Sequence, residues 1–137
     1  MFNRVQNENI ENTERKISAD ESLELALTIV EAAADRKGDD ILLLKVSEVT
    51  YLADYFVIIT GYSNAQIRAI YQAISQKAEL NCQRYPTRVE GQGEGTWILM
   101  DYGDAIVHIL KPKERGFYNL EAFWGHAEKI DISELTG

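Results

Sequence analysis

The sequence predicts an α/β domain of the α+β type, a mixed sheet of about five strands with flanking helices. Three observations carry that reading. Two segments, 18–38 and 63–81, hold apolar residues at helical spacing behind a side-chain cap. Short runs rich in β-branched and aromatic residues lie outside them. The order is helix, strand, strand, helix, then strands and a last helical turn, which is not regular βαβ alternation.

The first helix starts at Ser18, where Ser18 and Glu21 have the S-x-x-E spacing of a capping box. Leu23, Leu27, Val30 and Ala34 form one stripe of a 3.6-residue period behind it, and Gly38 is expected to close the helix as a left-handed cap. Ile41–Val46 is a short continuous apolar run, which suits a strand buried on both faces. Tyr55–Thr60 is a second strand, ended by Gly61. Ser63 and Gln66 predict another capping box, and Ile67, Ile70, Tyr71, Ile74 and Ala78 mark the apolar stripe of the helix behind it.

Thr87–Glu90 reads as a short strand after Pro86, and Gly91, Gly93 and Gly95 as a flexible loop. Thr96–Asp101 and Ala105–Lys111 read as a hairpin around Tyr102-Gly103-Asp104, with Pro112 ending it. Leu120–Trp124 reads as a last helical turn or two. Residues 1–17 lack a period and are expected to be a flexible N-terminal tail, and 127–137 a loosely held acidic C-terminal tail. Residues 18–126 then form a single domain.

Composition narrows the function. The chain has 137 residues, 14 Lys+Arg and 22 Asp+Glu, so its formal net charge is −8. DNA binding is unexpected in so acidic a chain, because nucleic-acid affinity leans on clustered Lys and Arg. Its field favours a basic partner. The single cysteine, Cys82, excludes an internal disulfide and a cysteine-based zinc cage, and reads as a small half-buried hydrophobe. No apolar run reaches the roughly 18 residues that cross a bilayer, so no membrane partner is expected. The N-terminus, with Glu8, Glu11, Glu14 and Asp20, does not read as a signal or transit peptide. A cytoplasmic setting is expected.

Each candidate for chemistry has a structural counterpart that explains it better. A phosphate cradle at Glu90-Gly91-Gln92-Gly93-Glu94-Gly95 would need a helix after it and a nearby cation; a strand comes next instead, and two glutamates sit in the loop. Gly61-Tyr62-Ser63, between a strand and a helix, has the shape of a nucleotidyltransferase turn. With Asp101 and Asp104 as metal-holding carboxylates it defines an alternative, enzymatic reading. Asp is also a preferred turn residue, and Ser a preferred helix cap. His108 alternates with Val107 and Ile109, so it faces away from them. No cofactor or metal site is expected. Trp97, Tyr102, Phe117, Tyr118, Phe123 and Trp124 crowd the last third of the chain, as core or as anchors of a protein-binding patch.

Several motifs occur in a fixed order. They are Ala53-Asp54-Tyr55-Phe56-Val57-Ile58, Thr60-Gly61-Tyr62-Ser63, Glu90-Gly91, Trp97-Ile98-Leu99-Met100-Asp101-Tyr102-Gly103-Asp104 with Val107-His108, and Arg115-Gly116-Phe117-Tyr118-Asn119-Leu120-Glu121 ending at Trp124. Together they resemble the ribosomal silencing factor S, or Iojap-like, family from about Glu21 to Trp124. The chain departs from many members at Ile109-Leu110 and at Lys111-Pro112-Lys113, where a Glu-rich stretch is usual.

The resemblance implies a nucleotidyltransferase-like topology without enzymatic activity. It implies a translational repressor that binds the large ribosomal subunit through ribosomal protein uL-fourteen. Occupying that face blocks joining of the small subunit, as in nutrient limitation. A peripheral rRNA contact is left open by the departure at Lys111-Pro112-Lys113, and pairing of the exposed patch with a second copy, a homodimer of the free chain, is a separate expectation. On that basis Trp97, Tyr118, Leu120 and Trp124, with Tyr102, are expected as apolar anchors of the partner surface. Asp101, Asp104 and Glu121 are expected to meet Lys or Arg.

Overall fold

Helix α1 (Ala19–Asp35) begins where the capping box places it. In the computed structural model, which describes residues 17–136, Ser18 Oγ accepts the Glu21 amide at 3.1 Å and Glu21 Oε1 accepts the Ser18 amide at 2.9 Å. The expected tail lies outside the described residues up to residue 16. The buried face of α1 is rotated from the expected stripe. Ser22, Leu25, Ala26, Ile29, Val30 and Ala33 face the sheet, while Leu23 and Leu27 sit half-buried at its flank. Apolar residues cover a wide arc of this helix, so period alone does not select which stripe goes inward. The left-handed cap is also displaced by one residue: Lys37 adopts φ 64°. Gly38 is required for a different reason, since a Cβ there would stand 2.9 Å from Ile59 Cγ2.

Next in the chain are strands β1 (Asp39–Lys45) and β2 (Tyr55–Thr60), then α2 (Asn64–Cys82), β3 (Arg88–Glu90), β4 (Trp97–Asp101) and β5 (Ala105–Leu110). Ser63 caps α2 by accepting the Gln66 amide, but Gln66 does not complete a box. Its Oε1 accepts the Tyr62 amide and its Nε2 donates to the carbonyls of Arg36 and Lys37, so the residue ties α2 to the end of α1. Cys82 is half-buried, its Sγ 3.6 Å from Thr28 Oγ1.

Two C-terminal features depart from expectation, while the helical turn expected at Leu120–Trp124 is present. Pro112 does not merely stop β5; it occupies the first turn of helix α3 (Pro112–Tyr118), where its missing N–H costs nothing. Helix α4 (Leu120–Phe123) succeeds it at once. Strand β6 (Glu128–Lys129) then pairs antiparallel with Leu44 and Lys45, and Ile130, Ile132 and, from helix α5 (Ser133–Thr136), Leu135 pack against the core. Residues 127–136 are therefore not a loose tail. A strand of two residues carries no periodicity to betray it.

Among the described residues the mixed sheet has six strands in the order β3-β4-β5-β2-β1-β6, one more than expected. Only β2 and β5 are parallel; every other pair is antiparallel. Helices α1 and α2 cover one face, over a core that includes Leu25, Ile29, Leu43, Val57, Ile59, Ile70, Ile98 and Val107. On the other face a smaller cluster gathers Leu44, Phe56, Ile58 and Leu110 under Leu120, Trp124 and Trp97. All residues of β2 are buried, because it lies between both cores. Among the described residues no helix is long and apolar enough to cross a membrane.

The glycine-rich loop is a held turn. Gly95 N–H donates to Gly91 O, and Arg68 donates to the carbonyls of Gln92 and Gly93. Gly91 has φ +90°, and a Cβ there would stand 1.9 Å from the Trp97 carbonyl oxygen. Gly91→Ala is expected to cost about 3 kcal/mol in urea denaturation, through the clash and the left-handed backbone together. Gly93→Ala, with nothing within 4 Å of its Cβ, serves as the neutral control.

Candidate functional site

Alternation along β4 and β5 decides which side chains can act together. Ile98 and Met100 point into the helix-covered core with Val107 and Ile109. Trp97, Leu99 and Asp101 therefore share the opposite face with Ile106, His108 and Leu110. Among the described residues no long helix packs on that face. The two short helices α3 and α4 reach it only at one end.

A continuous chain of rings crosses this face. Phe117 meets Tyr118 (centroids 5.0 Å apart), Tyr118 meets Trp97 (4.8 Å), and Trp97 meets His108 (5.9 Å). His108 meets Phe56 (6.1 Å), Phe56 meets Trp124 (4.9 Å), and Trp124 meets Phe123 (5.0 Å). The middle is buried, with His108 only 9% and Phe56 4% exposed. The ends are open, with Phe117 79%, Phe123 77% and Tyr118 54% exposed. Edge-to-face contacts of this kind hold rings in fixed orientations and add to the apolar contact.

His108 is the hub of the chain. Its Nδ1 accepts the Trp97 indole N–H at 3.1 Å, so the neutral ring carries its proton on Nε2. Burial lowers its pKa from 6.5 to about 4. The imidazole is therefore neutral at pH 7 and serves as a hydrogen-bonded core group.

A second structural element fixes the short helices. The Arg115 guanidinium, on α3, is buried against the end of β2. It donates to Thr60 Oγ1 at 2.9 Å and to Glu121 at 3.1 Å. Glu121 is thereby tied to Arg115, and Leu120 and Trp124 of the same segment pack onto the sheet.

The predicted site residues divide along these lines. Trp97, Asp101, Tyr118, Leu120, Glu121 and Trp124 lie on the open face or the segment bordering it. Asp101 is held there by Arg88, 3.6 Å away on the neighbouring strand. Tyr102 and Asp104 are not with them. Tyr102 is 3% exposed within the helix-side core, and burial pushes its phenol well above the ordinary value. It continues the alternation of Ile98 and Met100 onto that side. Asp104 turns to the C-terminal end of α2, where it accepts the Arg84 guanidinium at 2.6 Å and the Ser22 hydroxyl at 2.6 Å. Burial alone would raise its carboxyl; the hydrogen bonds from Arg84 and Ser22 overcome that and hold it below the usual carboxylate range. Both residues lock the hairpin turn to α1 and α2.

The residues of the enzymatic alternative do not converge. Tyr55 of β2 sits opposite Ala105 of the parallel β5, and Thr60 opposite Leu110. Gly61 and Ser63 therefore lie beyond one end of the pair and Asp104 precedes the other, roughly 20 Å away along the strands. Asp101 and Asp104 are each engaged by an arginine.

Phe117 and Phe123 join the surface without being among its expected anchors, and His108, Phe56 and Arg115 support it. The signal for the two phenylalanines is an apolar residue beside each predicted anchor, in segments too short to bury both neighbours.

Comparison with known proteins agrees with this architecture. The family described as "Ribosomal silencing factor during starvation" matches residues 19–137. The chain is 39% identical over 101 residues to ribosomal silencing factor RsfS of Bacillus subtilis, covering 74% of this chain and 85% of that one. It is 37% identical over 113 residues to the chloroplastic protein Iojap of Zea mays, covering 82% of this chain. It spans about half, 48%, of that plant protein's length. Protein CV0518 of Chromobacterium violaceum, solved by crystallography, superposes with a TM-score of 0.72 at 35% identity, over 75% of this chain and 85% of that chain. With the motifs, the mixed sheet and a match that runs the length of the described domain, the chain belongs to the ribosomal silencing factor family.

Proposed function

We propose that the ring-bearing face docks onto ribosomal protein uL-fourteen of the large subunit and thereby blocks joining of the small subunit. The observation that carries the reading is the exposure of Phe117, Tyr118 and Phe123 at the ends of a buried ring chain. Large aromatic side chains held rigidly at a surface lose little freedom on binding and dominate interface energies. Family membership supplies the ribosome as the target. The net charge of −8 supports a basic ribosomal partner, whose approach it accelerates in a salt-dependent way. The action is steric. No bond is made or broken, so inhibition tracks occupancy.

The test uses purified uL-fourteen and separated subunits. Wild-type protein lowers the joined fraction in sucrose gradients. Phe117→Ala with Tyr118→Ala is expected to weaken uL-fourteen binding by about 3 kcal/mol, with each hot-spot aromatic contributing about 1–2 kcal/mol. Both side chains are exposed, so the melting temperature stays close to wild type. Undiminished subunit joining at saturating protein sinks the proposal. Light scattering of the free chain shows whether the same face pairs two copies, and the double variant then remains monomeric.

A further inference from the structure

The opposite side of the molecule carries a second surface that the docking face does not use. Helix α1 contains Asp20, Glu21, Glu24, Glu31 and Asp35 and no lysine or arginine. Among the described residues the only cation salt-bridged to it is Lys77, which meets Glu31 at 3.1 Å and Asp35 at 3.3 Å near the C-terminal end. Among the described residues Asp20 and Glu24 form no salt bridge, and Arg84, the cation beside Glu21, is paired with Asp104, so the N-terminal half has an excess of negative charge. Between α1 and α5 runs a groove of about 380 Å³, lined by Leu23, Leu27, Thr28 and Leu135 with Asp20, Glu24 and Glu31 around it. These are the leucines that the sheet leaves at its flank. The apolar arc of α1 is wider than the core consumes, and among the described residues a four-residue helix, bearing Glu134, borders the surplus.

We propose that this groove is a docking site for a cationic amphipathic helix of a partner protein. Leu23 and Leu27 are one turn apart, and Leu135 stands across from them. That arrangement receives apolar side chains that recur each turn on a partner helix. The surrounding carboxylates select lysine or arginine on the flanks of that helix and reject acidic ones. The sheet separates α1 from Trp97 and Phe117, so both surfaces can be occupied at once. The chain then acts as an adaptor that brings a second, basic protein to whatever its aromatic face holds.

The experiment uses the full chain and a labelled synthetic peptide with Leu at i, i+3, i+4 and i+7 and Lys elsewhere. A second peptide has the same composition in scrambled order. Fluorescence anisotropy is expected to show the ordered peptide binding more tightly than the scrambled one, and losing affinity as salt rises. Asp20→Lys with Glu24→Lys, both on the rim of the groove, weakens binding about tenfold. Leu27→Ser weakens it while Phe117→Ala with Tyr118→Ala leaves it unchanged. Amide shifts in an NMR titration centre on Leu23, Leu27 and Leu135. Equal binding of both peptides, shifts centred on the Trp97 face, or no binding overturns the proposal. Should Leu27→Ser fail to fold, the charge-reversal pair and the shift map still decide.

Discussion

Arg115→Ala is expected to lose about 3–4 kcal/mol of folding stability and, with it, the proposed docking face. The guanidinium bridges two elements. Nη1 donates to Thr60 Oγ1 at the end of β2, and Nε donates to Glu121 in α4. Its contact with Asp40, at 3.6 Å, adds little because that carboxylate is 75% exposed. The cost arises from the groups that truncation leaves behind. Glu121 already has one carboxylate oxygen buried without a hydrogen-bond partner, and removing Arg115 strips the other. An uncompensated, partly buried charge expels its own helix. Leu120 and Trp124 then leave Leu44, Phe56 and Ile58 uncovered. Urea denaturation measures the loss, and uL-fourteen binding measures its consequence. Arg115→Lys keeps the charge without the planar fork and falls between the two. Arg115→Met combined with Glu121→Leu recovers part of the stability, since replacing both partners by apolar groups removes the orphaned charge. A loss below about 1 kcal/mol for Arg115→Ala would return Arg115 to the status of a surface residue.

The elements legible in the sequence are those whose physics is local. The Ser18–Glu21 box needs only two residues three apart. Tyr55–Thr60 announces a strand through its β-branched and aromatic residues, and it is this strand that is buried on both faces, whereas Ile41–Val46, expected to be so, is only half-buried at Ile41, Leu42 and Lys45. Two positive-φ positions show the limit of such reasoning. Lys37 and Asn119 adopt φ 64° and 46° although neither is glycine. Lys37 takes the left-handed position of a helix end whose carbonyls of Ala34 and Ala33 accept the amides of Lys37 and Gly38, and Gly38 is needed one residue later for the approach of Ile59, on a strand distant in sequence. Asn119 joins α3 directly to α4, and its amide is held by Arg115 O. Pro112 is the clearest case. Proline ends a strand and opens a helix with equal ease, and only the packing of residues 113–124 distinguishes them.

The surface was half legible for a related reason. Trp97, Leu99 and Asp101 succeed one another at a period of two, so their common face comes from alternation. Tyr118, Leu120 and Trp124 lie in the segment expected to border them. Proximity in sequence suggests Tyr102 and Asp104 as neighbours of Asp101, and the structure separates them from it. Alternation itself carries Tyr102 to the side of Met100. The turn redirects Asp104: Gly103, at φ +93°, reverses the chain and sends the carboxylate toward Arg84. Arg84 comes from the end of α2, a partner that no spacing rule connects to the hairpin. Buried ion pairs between distant segments are invisible to periodicity, whereas aromatic anchors announce themselves by type.

Acid is expected to weaken first the fold and then the proposed docking face through His108. Its folded pKa, about 4, lies below its ordinary 6.5, because burial disfavours the imidazolium. The unfolded chain therefore takes up the proton first. Above pH 6.5 the stabilising effect is fully present. Between that pH and about 4 the unfolded state binds more protons, and stability falls at about 1.4 kcal/mol per pH unit, to a total of about 3 kcal/mol. Asp104 loses its contribution only lower, as pH falls through the depressed carboxylate pKa. Urea denaturation at several pH values separates the two. His108→Phe removes the first decline and leaves the second, at a constant cost from the indole N–H of Trp97 that loses its acceptor. The protonated ring would also turn Nδ1 from acceptor into donor, facing the Trp97 donor at 3.1 Å. Trp97 would then lose the contact that orients it against Tyr118, so uL-fourteen affinity should hold down to the folded pKa and fall only as pH drops through about 4 in wild type, but not in His108→Phe. Parallel pH profiles for the two proteins would show that the ring chain does not depend on a neutral imidazole.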